Sequence, residues 1–192
     1  MTHYLSIDLD YWLRKIPLVD IAESELRNTV KRAQRRGIPL LAVMNHQQLL
    51  PEVNASSARK LVNVDQHSDL TSADIDNLEC GTWVSYVRWR HEGEYLWLRS
   101  DRRLFIGACN GGNRWDWETD WKRVRSEYRA VEVASLVDRH CAGVGLCMSP
   151  FYAQGELEEV FRRVVRDFGV FYRKGRRRED TFGRKVRPPR AA

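Results

Sequence analysis

Leu61-Val62-Asn63-Val64-Asp65-Gln66-His67-Ser68-Asp69 is the stretch on which the fold of this chain turns. An apolar run ends on three ligating side chains spaced two residues apart. On an extended strand, residues i, i+2 and i+4 share one face. The alternation therefore predicts that Asp65, His67 and Asp69 converge. Two carboxylates and an imidazole suit Mn²⁺, Fe²⁺ or Zn²⁺. At average composition an Asp-x-His-x-Asp triplet arises in about one chain in a hundred, an Asp-x-Asp pair in about one in two. The triplet thus carries the argument, and the pair Asp8 and Asp10 gains weight only from its position.

Outward from this stretch, Tyr4 to Ile7 predicts a short buried strand that delivers Asp8 and Asp10. Ile21, Leu26, Val30 and Ala33 recur at helical spacing over residues 19–36, and Gly37 stops the helix. Ile38 to Met44 is a continuous apolar run, read as an inner strand that delivers His46. Ser56 to Lys60 reads as the close of a short helical stretch before the strand Leu61 to Val64. Strand, helix, strand and strand in succession predict an α/β fold with a mainly parallel sheet.

Further along, Cys80 to Trp89 fits either helix or strand. Tyr95–Leu98 and Arg103–Ala108 predict a strand pair joined by Arg99 to Arg102. Trp115 to Trp121 alternates aromatics and acids, as a half-buried strand or a peptide-binding lip would. Val131–Leu136 and Val144–Met148 predict short strands, Asp138 to His140 a turn, and Leu157–Phe168 an amphipathic helix.

The chain has 192 residues, enough for one domain with a substantial core. It has no apolar run of 18 residues, so no membrane span is predicted, and no signal peptide is visible. Cys80, Cys109, Cys141 and Cys147 form no CxxC pair and read as reduced thiols of a cytoplasmic protein. Residues 173–192 hold nine basic and two acidic residues, so the net charge of +6 leaves residues 1–172 near −1. A basic, disordered tail after residue 172 is the expectation, and the near-neutral body argues against nucleic acid as the partner.

Three motifs end predicted strands: Asp8-Leu9-Asp10, Asn45-His46 and the Asp65 triplet. In open parallel sheets, ligands bind beyond the carboxyl ends of the strands. Taken singly, Asp8 and Asp10 also fit a helix cap or turn, and a lone His46 fits a core histidine. Together they supply the ligands of a two-metal site.

Val-Asp-Gln-His-Ser-Asp resembles the Asp-Ala-His-Thr-Asp motif of the arginase (ureohydrolase) superfamily, and Ser-Ile-Asp-Leu-Asp resembles its Ser-Phe-Asp-Val-Asp. Here the Asp-x-Asp strand precedes the triplet, as in a circular permutation. With Ile7-Asp8-Leu9-Asp10-Tyr11-Trp12, Gly81-Thr82-Trp83 and Ser149-Pro150, this order is similar to that of the peptide arginases of ribosomally made, post-translationally modified peptide pathways.

The resemblance implies an arginase/deacetylase-like three-layer sandwich over residues 1–172 and two Mn²⁺ ions, with Fe²⁺ or Zn²⁺ as alternatives. Asp8 and Asp65 would bridge the ions, His46 and Asp69 complete one, and Asp10 and His67 the other. A bridging hydroxide would attack the guanidinium of an arginine in a precursor peptide, giving ornithine and urea.

Cys80 stands where that superfamily places a proton-shuttling His, which leaves Glu79, His91 or solvent for the task. Glu79 is also the candidate carboxylate for holding the guanidinium, with a surface turn residue as the alternative. Trp83, Trp115 and Trp117 are the candidate aromatic contacts to substrate. A small guanidine or amide substrate, or a non-enzymatic nucleic-acid binder using the basic tail, are the alternative functions.

Overall fold

The computed structural model describes residues 1–13, 18–70, 78, 81–99, 121–128, 132–150 and 155–174. Its elements are β1 (His3–Asp8), α1 (Val19–Arg35), β2 (Leu40–Val43), α2 (Leu50–Ala55), β3 (Lys60–Val64), β4 (Glu94–Arg99), β5 (Arg123–Tyr128), β6 (Cys141–Cys147), α3 (Glu156–Asp167) and β7 (Tyr172–Arg173). Short 3-10 turns occupy Leu9–Trp12, His46–Leu49, Trp83–Tyr86 and Val133–Leu136. The seven strands form one sheet in the order β5-β4-β3-β1-β6-β2-β7, and every pair is parallel. This is the α/β architecture that the strand–helix rhythm predicts.

The strand period of two divides the core into two layers. Leu5 and Ile7 of β1, Val62 and Val64 of β3, and Leu96 and Leu98 of β4 face α1 and α3 in one cluster. Leu61, Tyr95 and Trp97 face the other way, toward Leu49, Val53, Trp83, Trp89 and Trp121. Helices α1 and α3 therefore cover one face, and α2 with the turns His46–Leu49 and Trp83–Tyr86 covers the other, giving three layers.

α1 buries Ala22, Leu26, Val30 and Ala33, while Ile21 is 52% exposed. The apolar stripe thus begins one residue later than the sequence suggests, on the smaller Ala22. α1 and α3 end alike. Gly37 at φ 63° donates to Gln34 O while Ile38 donates to Ala33 O. Gly169 at φ 60° donates to Arg166 O while Val170 donates to Val165 O. Each Gly takes the left-handed conformation that closes a helix with these paired bonds.

Gly145 serves the site directly. A Cβ there would stand 2.6 Å from Leu49, so its absence lets the His46–Leu49 turn lie close against β6.

Several expectations change. Val133–Leu136 is a 3-10 turn, not a strand: an apolar run this short does not reveal its period. Helix α2 closes at Ala55, before Ser56, where Pro51 and the turn ahead of it start it early. Residues 83–86 form a 3-10 turn rather than a full helix or strand. β4 pairs with β3 on one edge and with β5 on the other. Residues 103–108 themselves lie outside the described residues.

The body also extends past residue 172. Arg173 pairs with Val43, and its guanidinium donates to Gln48 O at 3.0 Å and Glu52 Oε1 at 2.6 Å. The tail proper, from residue 175, lies outside the described residues.

Candidate metal centre

Strands β3, β1, β6 and β2 are neighbours in the sheet, and the candidate ligands leave their carboxyl ends. Asp8 ends β1, and its Oδ1 accepts a hydrogen bond from Asp10 N at 3.1 Å, which starts the Leu9–Trp12 turn. His46 opens the turn after β2. Gln48 Oε1 accepts from Met44 N and Asn45 N at 3.0 and 2.9 Å and fixes that turn against the strand end. Cys147 ends β6 in register with Asp8, and Ser149 follows it.

The triplet converges for a different reason from the one its spacing suggests. β3 stops at Val64, and the next residues bend. Asp65 Oδ1 accepts from His67 N at 2.7 Å, an Asx-type turn. Ser68 Oγ accepts from Leu70 N at 3.4 Å, and Asp69 adopts φ 51°, rare for a residue other than Gly. A turned chain, not a continued strand, sends Asp69 toward His46 and His67 toward Asp10.

The geometry brings all six predicted ligands together. His46 Nδ1 lies 2.8 Å from Asp69 Oδ2, 3.3 Å from Asp8 Oδ2 and 3.4 Å from Asp65 Oδ2. His67 Nδ1 lies 2.9 Å from Asp10 Oδ2 and 3.7 Å from Asp65 Oδ1. Asp65 therefore belongs to two groups, His46-Asp65-Asp69 and Asp10-Asp65-His67, each compact enough to hold a metal ion. Asp8 stands with His46 and Cys147 in a third group.

Hydrogen bonds from behind orient these side chains. Ser149 Oγ donates to Asp8 Oδ2 at 2.5 Å, Asn63 Nδ2 to Asp65 Oδ2 at 3.1 Å, and Trp83 Nε1 to Asp69 Oδ2 at 2.7 Å. His46 Nε2 meets Ser6 Oγ at 3.2 Å, which leaves Nδ1 for the carboxylates. Trp97 Nε1 donates to Asp65 O at 3.0 Å. Such supporting partners set ligand orientation in metal sites.

Electrostatics make the cluster costly without a cation. Asp8, Asp10, Asp65 and Asp69 are all buried, and among the described residues their ion pairs are with His46 and His67. Burial, then the charge of Asp10, pushes the Asp8 carboxyl up to about 7. Burial and the neighbouring Asp69, Asp10 and Asp8 hold Asp65 well above the carboxylate range. Burial opposes a charge on His46, but Cys147, Asp8 and Asp69 overcome it and raise the imidazole well above its ordinary range. Burial likewise opposes a charge on His67, and Asp10 above all raises it. Asp10 Oδ2 is buried and meets His67 Nδ1 at 2.9 Å. Crowded buried carboxylates are what a divalent cation satisfies.

The other predicted site residues fare differently. Trp83 is fully buried, packs on the His46 ring at 5.4 Å and holds Asp69, so it cannot touch a substrate; it positions a ligand instead. His91 is exposed just before the amino end of β4, whereas Asp65 follows the carboxyl end of the adjacent β3. At about 3.3 Å per residue this puts His91 roughly 20 Å from the cluster, which removes it as a proton shuttle. Glu79, Cys80, Trp115 and Trp117 lie outside the described residues. Trp121, at the end of the aromatic segment, is buried against Trp89 and Tyr95.

Sequence reasoning missed Cys147 as a member of the cluster. Its signal was available: it ends a strand, as Asp8 does.

Among the described residues no helix is long and apolar enough to cross a membrane. Comparison of the chain with protein-family models, with curated proteins and with solved structures finds no match.

Proposed function

We propose that the chain is a dimetal hydrolase that converts arginine side chains of a peptide to ornithine and urea in the cytoplasm, with Mn²⁺ as its metal. The observation that carries this reading is Asp65, whose two oxygens face two separate Asp/His groups. Four buried carboxylates match the charge of two divalent ions and leave both imidazoles neutral, the form in which they ligate. The resemblance of Ser6–Asp10 and Val64–Asp69 to peptide arginases supports the substrate.

Paired divalent ions held by these groups would supply a water of lowered pKa and a Lewis acid. Asp65 and Asp8 would hold the centre against the strand ends, with His46 and Asp69 completing one group and Asp10 and His67 the other. The His67 side chain is 31% exposed, against 1% for His46, so a guanidinium enters on the His67 side. Water oxygen adds to the guanidinium carbon, the bond from that carbon to Nε breaks, and Nε takes a proton as the amine leaves. Glu79 is the candidate for holding the guanidinium.

Elemental analysis after purification in Mn²⁺, paired with mass spectrometry of arginine peptides, tests this. About two manganese per chain and loss of CH₂N₂ from a peptide arginine are expected, both abolished by Asp65→Ala. Turnover of free arginine but not of peptides would reassign the substrate. Peptide turnover that survives in metal-free Asp65→Ala would overturn the reading.

A further inference from the structure

The two halves of the cluster differ in chemistry, and Cys147 makes the difference. Asp10, Asp65 and His67 offer oxygen and nitrogen alone, whereas Cys147 joins Asp8 and His46 in a group whose ligand atoms all lie within 4.8 Å of one another. Cys147 is buried, free of any disulfide, and in register with Asp8 across β1 and β6. Its hydrogen-bond partners are Ser149 Oγ at 3.3 Å, Met44 O at 3.7 Å and the His46 ring.

The spacing suits a thiolate-bearing site. Zinc–ligand bonds of about 2.0–2.3 Å in a tetrahedron place ligand atoms about 3.3–3.7 Å apart. Asp8 Oδ2 and His46 Nδ1 already stand 3.3 Å apart. Sγ therefore has up to about 1.5 Å to travel, which a rotation of roughly 50° about its side-chain torsion, short of a full rotamer step, covers. A thiolate favours Zn²⁺, Co²⁺ or Fe²⁺ over Mn²⁺, and a carboxylate-rich set favours Mn²⁺.

Building on the metal-centre reading above, we propose that Cys147 is a metal ligand with His46 and Asp8 and selects a softer ion there than Asp10, Asp65 and His67 take. On coordination the S–H bond breaks, a sulfur–metal bond forms and the proton passes to solvent, with no change of oxidation state. A thiol that serves only to pack beside Leu49 and Val43 would leave the spectrum of a bound metal unchanged.

Titration of the full, metal-free chain with Co²⁺ tests this, with cobalt uptake followed by elemental analysis. A near-ultraviolet thiolate-to-cobalt charge-transfer band is expected, displaced by Zn²⁺ but not by Mn²⁺. Cys147→Ser should abolish the band and weaken Zn²⁺ binding at least about tenfold, while Mn²⁺ uptake at the Asp10 group persists. Cys147→Ala serves if the serine variant does not fold, and Cys141→Ser, at the far end of β6, should keep the band. Cobalt bound without the band, or a band that survives in a folded Cys147 variant, overturns this inference and leaves the metal centre standing. No cobalt bound at all overturns both.

Discussion

On one face of the sheet, Leu5, Ile7, Val62 and Val64 meet the apolar stripes of α1 and α3. On the other, one residue along the same strands, Ser6, Asp8, Asn63 and Asp65 share buried space with Trp83 and Trp97. The first face stabilises by burying apolar area. The second gives up part of that gain to hold carboxylates, and recovers some through hydrogen bonds from Ser149, Asn63 and Trp83. Because the period is two, the two tasks sit on the same strands and scarcely compete. A slip of one residue in β1 or β3 would exchange them.

The division is open to direct test. Phe161→Ala, on the α3 face, should cost about 3–5 kcal/mol in denaturant unfolding. The fraction that stays folded should take up metal as the parent does. A matching loss of metal affinity in the folded variant would show that the two faces are not independent.

The polar face should reveal itself through pH. Asp8 has a folded-state value of about 7 against an ordinary 3.8, so between these the folded state holds more protons than the unfolded one. Stability then falls as pH rises through that window. The upward shifts of Asp65, His46 and His67 act in the same sense and carry the fall higher. Protein kept in chelator should therefore lose a few kcal/mol between about pH 5 and about pH 8, and added Mn²⁺ should remove most of that loss. A flat profile in chelator would mean that the cluster is not strained without a cation.

A smaller effect is expected at the seam between packing and chemistry. Trp83→Phe keeps an aromatic ring beside His46 but deletes the hydrogen bond to Asp69. Mn²⁺ affinity should drop roughly 10–100-fold with little change in unfolding midpoint. The reverse pattern, stability lost and affinity kept, would return Trp83 to the core alone.

Much of this arrangement is legible in the sequence because apolar runs end on ligating residues. β1, β3, α1 and α3 follow from their patterns, and all six predicted ligands meet. β5 escapes, since Arg123, Arg125 and Glu127 alternate with partly buried residues on an edge where charge is common and no apolar stripe appears. β7 has two residues, too few for any period. His91 and Trp83 show the limit of nearness along the chain: one lies at the wrong end of a strand, the other beneath the site. Cys147 was readable, had the strand-end rule been applied to β6 as it was to β1.

The hydrogen bond between Ser149 and Asp8 joins residues 141 positions apart. That separation sets a clock. At about 5–20 residues per second, a ribosome adds Ser149 roughly 7–28 s after Asp8. Until then β1 lacks its β6 neighbour, and Asp8 has neither Ser149 nor Cys147 beside it. The long loop between them must also be closed before any contact rewards it. The support behind Asp8 is thus completed only after β1 and β3, which pair directly, have both been made.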